Sequence, residues 1–173
     1  MNTKTKPFRG LHLWELALLA GLAAVLLTGA LSLGEQTALS EKVVRLHVLA
    51  NSDSQEDQAL KLRVRDRVLA ETETLLESST DRNEAERRLT AALPELERLA
   101  AEEIAESGYD YTVSVRLEET AFPTRTYDGF TLPAGEYLAL RVLIGAAEGQ
   151  NWWCVVFPPL CAAASADVAE TAL

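Results

Sequence analysis

At 173 residues and a formal net charge of −10 at pH 7, the chain has room for one domain and a short additional segment. Setting aside residues 1–34, with three basic residues and one acid, leaves 13 basic and 25 acidic residues and a net charge of −12. A field of that sign repels nucleic acid and anionic lipid and counts against both as partners. A single histidine after residue 34, His47, excludes a His-rich zinc site and the HExxH arrangement.

The chain opens with Lys4, Lys6 and Arg9, and then Leu16 to Leu33 runs for eighteen residues without a charge. A basic flank before an apolar run is what the secretion machinery reads as a signal, and the basic end stays inside. Ala30 and Ser32, or Ser32 and Gly34, offer weak cleavage sites. Eighteen residues is also about the least that spans a bilayer as a helix. Residues 1–34 are therefore read as a signal peptide or signal anchor, with cleavage left open; the competing reading is a buried helix of a cytosolic protein. Contact with the membrane is expected through this segment only.

Val43 to Ala50 reads as a strand, with Val44, Leu46, Val48 and Ala50 on one face and Arg45 and His47 on the other, as in a half-covered sheet. Asn51-Ser52-Asp53-Ser54 breaks this pattern, and Ser54 with Asp57 makes a capping-box-like start. A helix is predicted from Gln55 to Glu77, buried along Leu60, Val64, Val68, Leu69, Leu75 and Leu76, with Lys61, Arg63, Arg65 and Arg67 on a solvated face. After a polar break at Ser78 to Asn83, Leu89, Leu93, Leu96, Leu99 and Ile104 keep helical spacing. Pro94 predicts a kink or two short helices, and Gly108 a C-terminal stop.

From Tyr109 the period returns to two, through Val113, Val115 and Leu117. Phe122 to Tyr127 is an edge or irregular extended segment because Pro123 cannot donate to a ladder. Asp128-Gly129 signals a hairpin, and Leu132-Pro133-Ala134-Gly135 a further turn. Tyr137 to Ile144 and Trp152 to Phe157 are apolar enough for central strands, and Pro158-Pro159 stops the second. Residues 162–173 are Ala-rich and unpatterned, a disordered tail. Residues 35–161 then form one α+β domain, with helices packed on a mainly antiparallel sheet.

Little in these elements carries chemistry. Neither a Gly-x-Ser-x-Gly elbow nor a phosphate-cradling glycine loop occurs, and neither a cofactor nor a metal is predicted. The best enzymatic arrangement is His47 with Asp53, Glu56 and Asp57, an exported hydrolase or cell-wall-acting enzyme; acids at that position are also what a helix N-terminus favours. Trp152 and Trp153 point to opposite faces of a strand, so one fills the core while the other covers the far face or meets a partner. Cys154 and Cys161 can pair in an oxidising compartment, or stand as two small buried residues.

The strings VRLHVLANSDSQEDQALKLRVRDRVL (Val44–Leu69), FPTRTYDGFTLPAGEYLALRVLIG (Phe122–Gly145) and GQNWWCVVFPPLC (Gly149–Cys161) together resemble the stage II sporulation protein R family of endospore-forming bacteria. The resemblance implies a protein made in the forespore and exported into the intermembrane space, or anchored facing it. There it would activate a membrane-embedded aspartic protease that processes the sigma-E precursor, so that it is a signalling protein and not an enzyme. No functional residues carry over from the family. Asn51, Ser52 and Asp53 at the loop, Arg125 and Tyr127 on the extended segment, and Trp152 and Trp153 are the residues expected to bind the protease.

Overall fold

A computed structural model describes residues 12–127 and 130–160, with the side chains of residues 29–38 outside the description. Its elements run α1 (Leu13–Ser40), β1 (Val44–Leu49), α2 (Gln55–Leu76), α3 (Arg82–Glu106), β2 (Val113–Phe122), β3 (Arg125–Tyr127), β4 (Phe130–Leu132), β5 (Gly135–Ile144) and β6 (Asn151–Phe157). Residues 1–37 and 38–173 form two separate compact units.

In the first unit, α1 exposes large apolar side chains that include Leu13, Trp14, Leu18, Leu22, Val25 and Leu26. Among the described residues no helix is long and apolar enough to cross a membrane. The predicted uncharged run ends at Leu33 and so extends past Thr28 into side chains that are not described.

In the second unit, the alternation of β1 dictates the layers. Val44, Leu46 and Val48 are fully buried against α2 and α3, in a core shared with Leu60, Val64, Leu89, Leu96 and Leu140. The four-stranded sheet has the order β2-β5-β1-β6. It is mixed: β1 pairs parallel to β5, and the β2–β5 and β1–β6 pairs are antiparallel. The parallel pair follows from the long crossover through both helices and β2. Strand β6 lies at an edge rather than centrally as its apolarity predicts. Its residues are apolar because both faces are covered, Cys154 and Val156 by the helices and Val155 by a second cluster. That second cluster, built on Phe122, Tyr127, Leu132 and Tyr137, also corrects the half-covered reading of β1.

Helix α2 begins where the cap predicts, the Ser54 side chain accepting from the Asp57 N–H at 3.1 Å. Its cationic face is not wholly solvated. Arg63 and Arg67 are exposed, but Lys61 and Arg65 are buried, Lys61 on the Gln150 carbonyl and Arg65 over the Trp152 ring. Helix α3 is one continuous element through Pro94, not two short ones. A mid-helix proline costs about 3 kcal/mol. Buried Leu89 before it and Leu96, Ala100 and Ile104 after it hold the helix on the sheet, and each large apolar side chain contributes about 1.5–3 kcal/mol. The helix ends at Gly108 (φ 85°), whose N–H bonds the Ala105 carbonyl while that of Tyr109 bonds Ile104.

The edge of β2 is partly closed by α3, whose Glu97 accepts from the Val115 N–H at 2.9 Å. Strands β3 and β4 pair antiparallel in a small second sheet, with Tyr127 opposite Phe130. The Asp128-Gly129 turn predicted between them, and the tail 162–173, lie outside the described residues.

Candidate functional site

Two polar constructions stand at the sheet. The first ties the β1–α2 loop to the β5–β6 loop. Asp57, 4% exposed, accepts from Asn51 Nδ2 at 2.8 Å and Ser52 Oγ at 2.6 Å. These bonds, Ser52's foremost, hold its carboxyl below the usual range against the opposing effect of burial. Asn51 Oδ1 accepts from the Ala146 N–H at 2.9 Å, and Asp53 Oδ1 from the Gln150 N–H at 2.7 Å. Lys61 closes the far side on the Gln150 carbonyl at 3.0 Å, and burial lowers its pKa. The loops approach so closely that a Cβ on Gly149 would meet the Ser52 carbonyl oxygen at 2.2 Å.

The second lies on the sheet face away from the helices. Arg45 is fully buried, its guanidinium carbon 3.9 Å from the Phe122 ring centroid and 4.9 Å from that of Tyr137. Its Nη2 donates to the Tyr127 hydroxyl at 2.6 Å, while Nε and Nη1 have no acceptor among the described residues. Burial lowers its pKa, partly offset by Tyr127. Beside it on β1, His47 stacks on Trp153 with ring centroids 3.8 Å apart, and its Nε2 bonds Asn151 Oδ1 at 2.7 Å. Burial pushes the imidazole down to about 4, and the positive charges of Arg141 and Arg45 act the same way.

This geometry sorts the residues singled out in the sequence. Asn51, Ser52 and Asp53 come together, as a structural bracket. Asp57 belongs to that bracket and His47 to the opposite sheet face, each with its own hydrogen-bond partners, so these contacts do not join them into an acid–base pair. Glu56 is exposed in the first turn of α2. Arg125 is exposed on β3, whereas Tyr127 turns inward onto Arg45 and is 6% exposed. Trp152 and Trp153 divide between the faces as alternation requires. Trp152 packs on the helix-side core under the Arg65 guanidinium, 4.1 Å away, and Trp153 packs on the second cluster. Cys154 is fully buried on β6 and is not a free thiol; Cys161 lies outside the described residues.

Sequence reasoning missed the basic row on the second face. Arg116 on β2, Arg141 on β5 and His47 on β1 are register neighbours, with Trp153 next on β6. Each is a polar or aromatic residue at an alternating strand position, but only the strand order shows that they align.

Residues 40–167 match the model of the family described as stage II sporulation protein R. The chain belongs to the stage II sporulation protein R family. It is 40% identical over 127 residues to the stage II sporulation protein R of Bacillus subtilis (strain 168), covering 73% of this chain and 57% of that protein. The match therefore spans little more than half the length of that curated relative. No solved structure matches the chain. Membership in the stage II sporulation protein R family supports a role in sporulation, and the family match takes in every element from β1 to β6.

Proposed function

We propose that the chain is a forespore-to-mother-cell signal: exported into the intermembrane space, or anchored facing it, it activates a membrane-embedded aspartic protease that then processes the sigma-E precursor. The observation that carries this reading is the family match over residues 40–167, which covers the whole sheet and both helices packed on it. Two further features support it. The large hydrophobic side chains that the described residues leave exposed all lie on α1, and a helix apolar all round belongs in lipid or in a protein interior. His47 and Asp57, the groups an exported hydrolase would use, are committed to separate structural contacts.

Activation on this reading is differential binding. The domain must bind the active protease conformation more tightly than the inactive one, since equal affinity for both shifts nothing. The test is to express the full chain in non-sporulating cells with the cognate membrane protease and the sigma-E precursor, following precursor length on a gel. Shortening that depends on this chain and on its export segment is the expected result. An unshortened precursor, with all three proteins stably present and this one exported, overturns the reading.

A further inference from the structure

The open end of the second sheet face differs in charge from the rest of the domain. Arg116, Arg141, His47 and Trp153 form one row across β2, β5, β1 and β6, a span of about 14 Å at the usual strand spacing. Arg45 lies on the neighbouring row. Against the three arginines the described strand positions of this face carry one carboxylate, Glu118, which pairs with Arg141, while His47 is neutral. Arg116 is exposed and has no acidic partner among the described residues. Arg45 Nε and Nη1 and Arg141 Nε are buried N–H donors without an acceptor among those residues. A local excess of cations in a chain of net charge −10 is complementary to acid, and unlike the rest of the molecule it does not repel it. Among the described residues, Tyr127, Phe130 and Leu132 of β3 and β4 pack with Phe122 and Tyr137 beside Arg45. Trp153, half-buried and held flat by His47, supplies an aromatic wall beside the row.

We infer that this row is the docking surface for an acidic segment of a partner protein, whose carboxylates face Arg116 and Arg141 while its apolar atoms lie on Trp153. The inference deepens the signalling reading and rests on it for the identity of the partner. The carboxylates provide an acidic partner for the exposed Arg116 guanidinium, which has none among the described residues. Glu118 competes for Arg141 and so weakens the site.

The probe is a fluorescent oligoglutamate peptide titrated against the full chain in detergent. Saturable, salt-sensitive binding is expected, roughly tenfold weaker in R116E and severalfold tighter in E118Q. R87E, an equal charge change on exposed Arg87 of α3, should leave binding unchanged. Equal weakening by R116E and R87E overturns the inference, as does preferential binding of single-stranded DNA of matched charge. A wild-type dimer that R116E dissociates also overturns it, by giving the face to a second copy of this chain. In the cellular reconstitution R116E, exported and stable, should leave the precursor unshortened. Normal shortening by R116E removes the docking surface while the signalling reading stands. Failure of the wild type to shorten the precursor strikes the signalling reading, and the peptide titration still decides whether the face binds acid.

Discussion

His47 and Trp153 lie directly across β1 and β6 from one another and stack with their ring planes 13° apart. The stack buries the imidazole in its neutral form, flanked by Arg141 and Arg45, and this makes the domain sensitive to acid. Between the ordinary pKa of 6.5 and the folded value of about 4, the unfolded chain binds a proton that the folded chain refuses. Stability is therefore fully present above pH 6.5 and falls as the pH drops through that window, by up to about 3 kcal/mol from this one group. Urea unfolding from pH 7 to pH 4 should show a shallower loss for His47→Phe, which keeps the stack, than for the wild type. Parallel slopes for the two proteins would show that His47 does not titrate in this way.

Asp57 is the centre of the loop bracket, and its removal strands Asn51 and Ser52 together. Buried donors without acceptors cost about 1–3 kcal/mol each, so Asp57→Ala should lower unfolding stability by about 2–4 kcal/mol. Its depressed pKa adds a pH signature of the usual carboxylate sign: the stabilisation is present above the unfolded pKa and is lost as the pH falls below it. A variant that stays as stable as the wild type but loses signalling would move Asp57 from scaffold to function.

Gly149 and Gly108 make a matched pair for testing the bracket. A Cβ at Gly108 meets nothing within 4 Å, so Gly108→Ala should cost only the left-handed backbone strain, about 1–2 kcal/mol. Gly149→Ala drives a Cβ into the Ser52 backbone, which cannot rotate away, and should cost about 3 kcal/mol, the upper end for overpacking. Chemical denaturation of both variants gives the comparison directly; an equal cost would mean that the β5–β6 loop shifts freely off the β1–α2 loop.

How far the sequence carries is visible in the same residues. Ser54 with Asp57 shows where α2 begins, and the alternation through Val44, Leu46 and Val48 shows the face that α2 and α3 cover, because capping and periodicity are local. Strand order is not local. The parallel pairing of β1 with β5 and the edge position of β6 depend on which distant segments meet. So does the burial of Arg65, whose guanidinium is covered by Trp152 from the last strand. The apolar stretch Trp152 to Phe157 looks central because both of its faces are covered, and composition does not distinguish covered faces from paired edges. The basic row stays hidden for the same reason: Arg116, Arg141 and His47 become neighbours only through the register.

Cys154 and Cys161 carry a prediction about compartment. In the exported protein, denatured without reductant, neither cysteine should accept a thiol label, and both should after reduction. The short loop between them limits the stabilisation to about 2–3 kcal/mol. Full labelling of both without reductant would end the pairing.

Arg45 poses the sharpest question of purpose. A fully buried guanidinium whose one hydrogen bond among the described residues goes to the Tyr127 hydroxyl is a poor way to stabilise a core. Its rings gain from the cation above them, by about 2 kcal/mol when desolvated, but the burial of an incompletely satisfied charge offsets that gain. Replacing Arg45 by Met and Tyr127 by Phe removes the charge and its hydroxyl partner together while keeping the volume. The double variant should therefore be as stable as the wild type or more so, whereas Arg45→Met alone leaves a buried hydroxyl and should be less stable than the double. Thermal unfolding of the two variants and the wild type separates the cases. A double variant that unfolds well below the wild type would show that the aromatic cage over Arg45 is a net source of stability. A double variant that is stable but fails to signal would tie the buried charge to the docking face beside it.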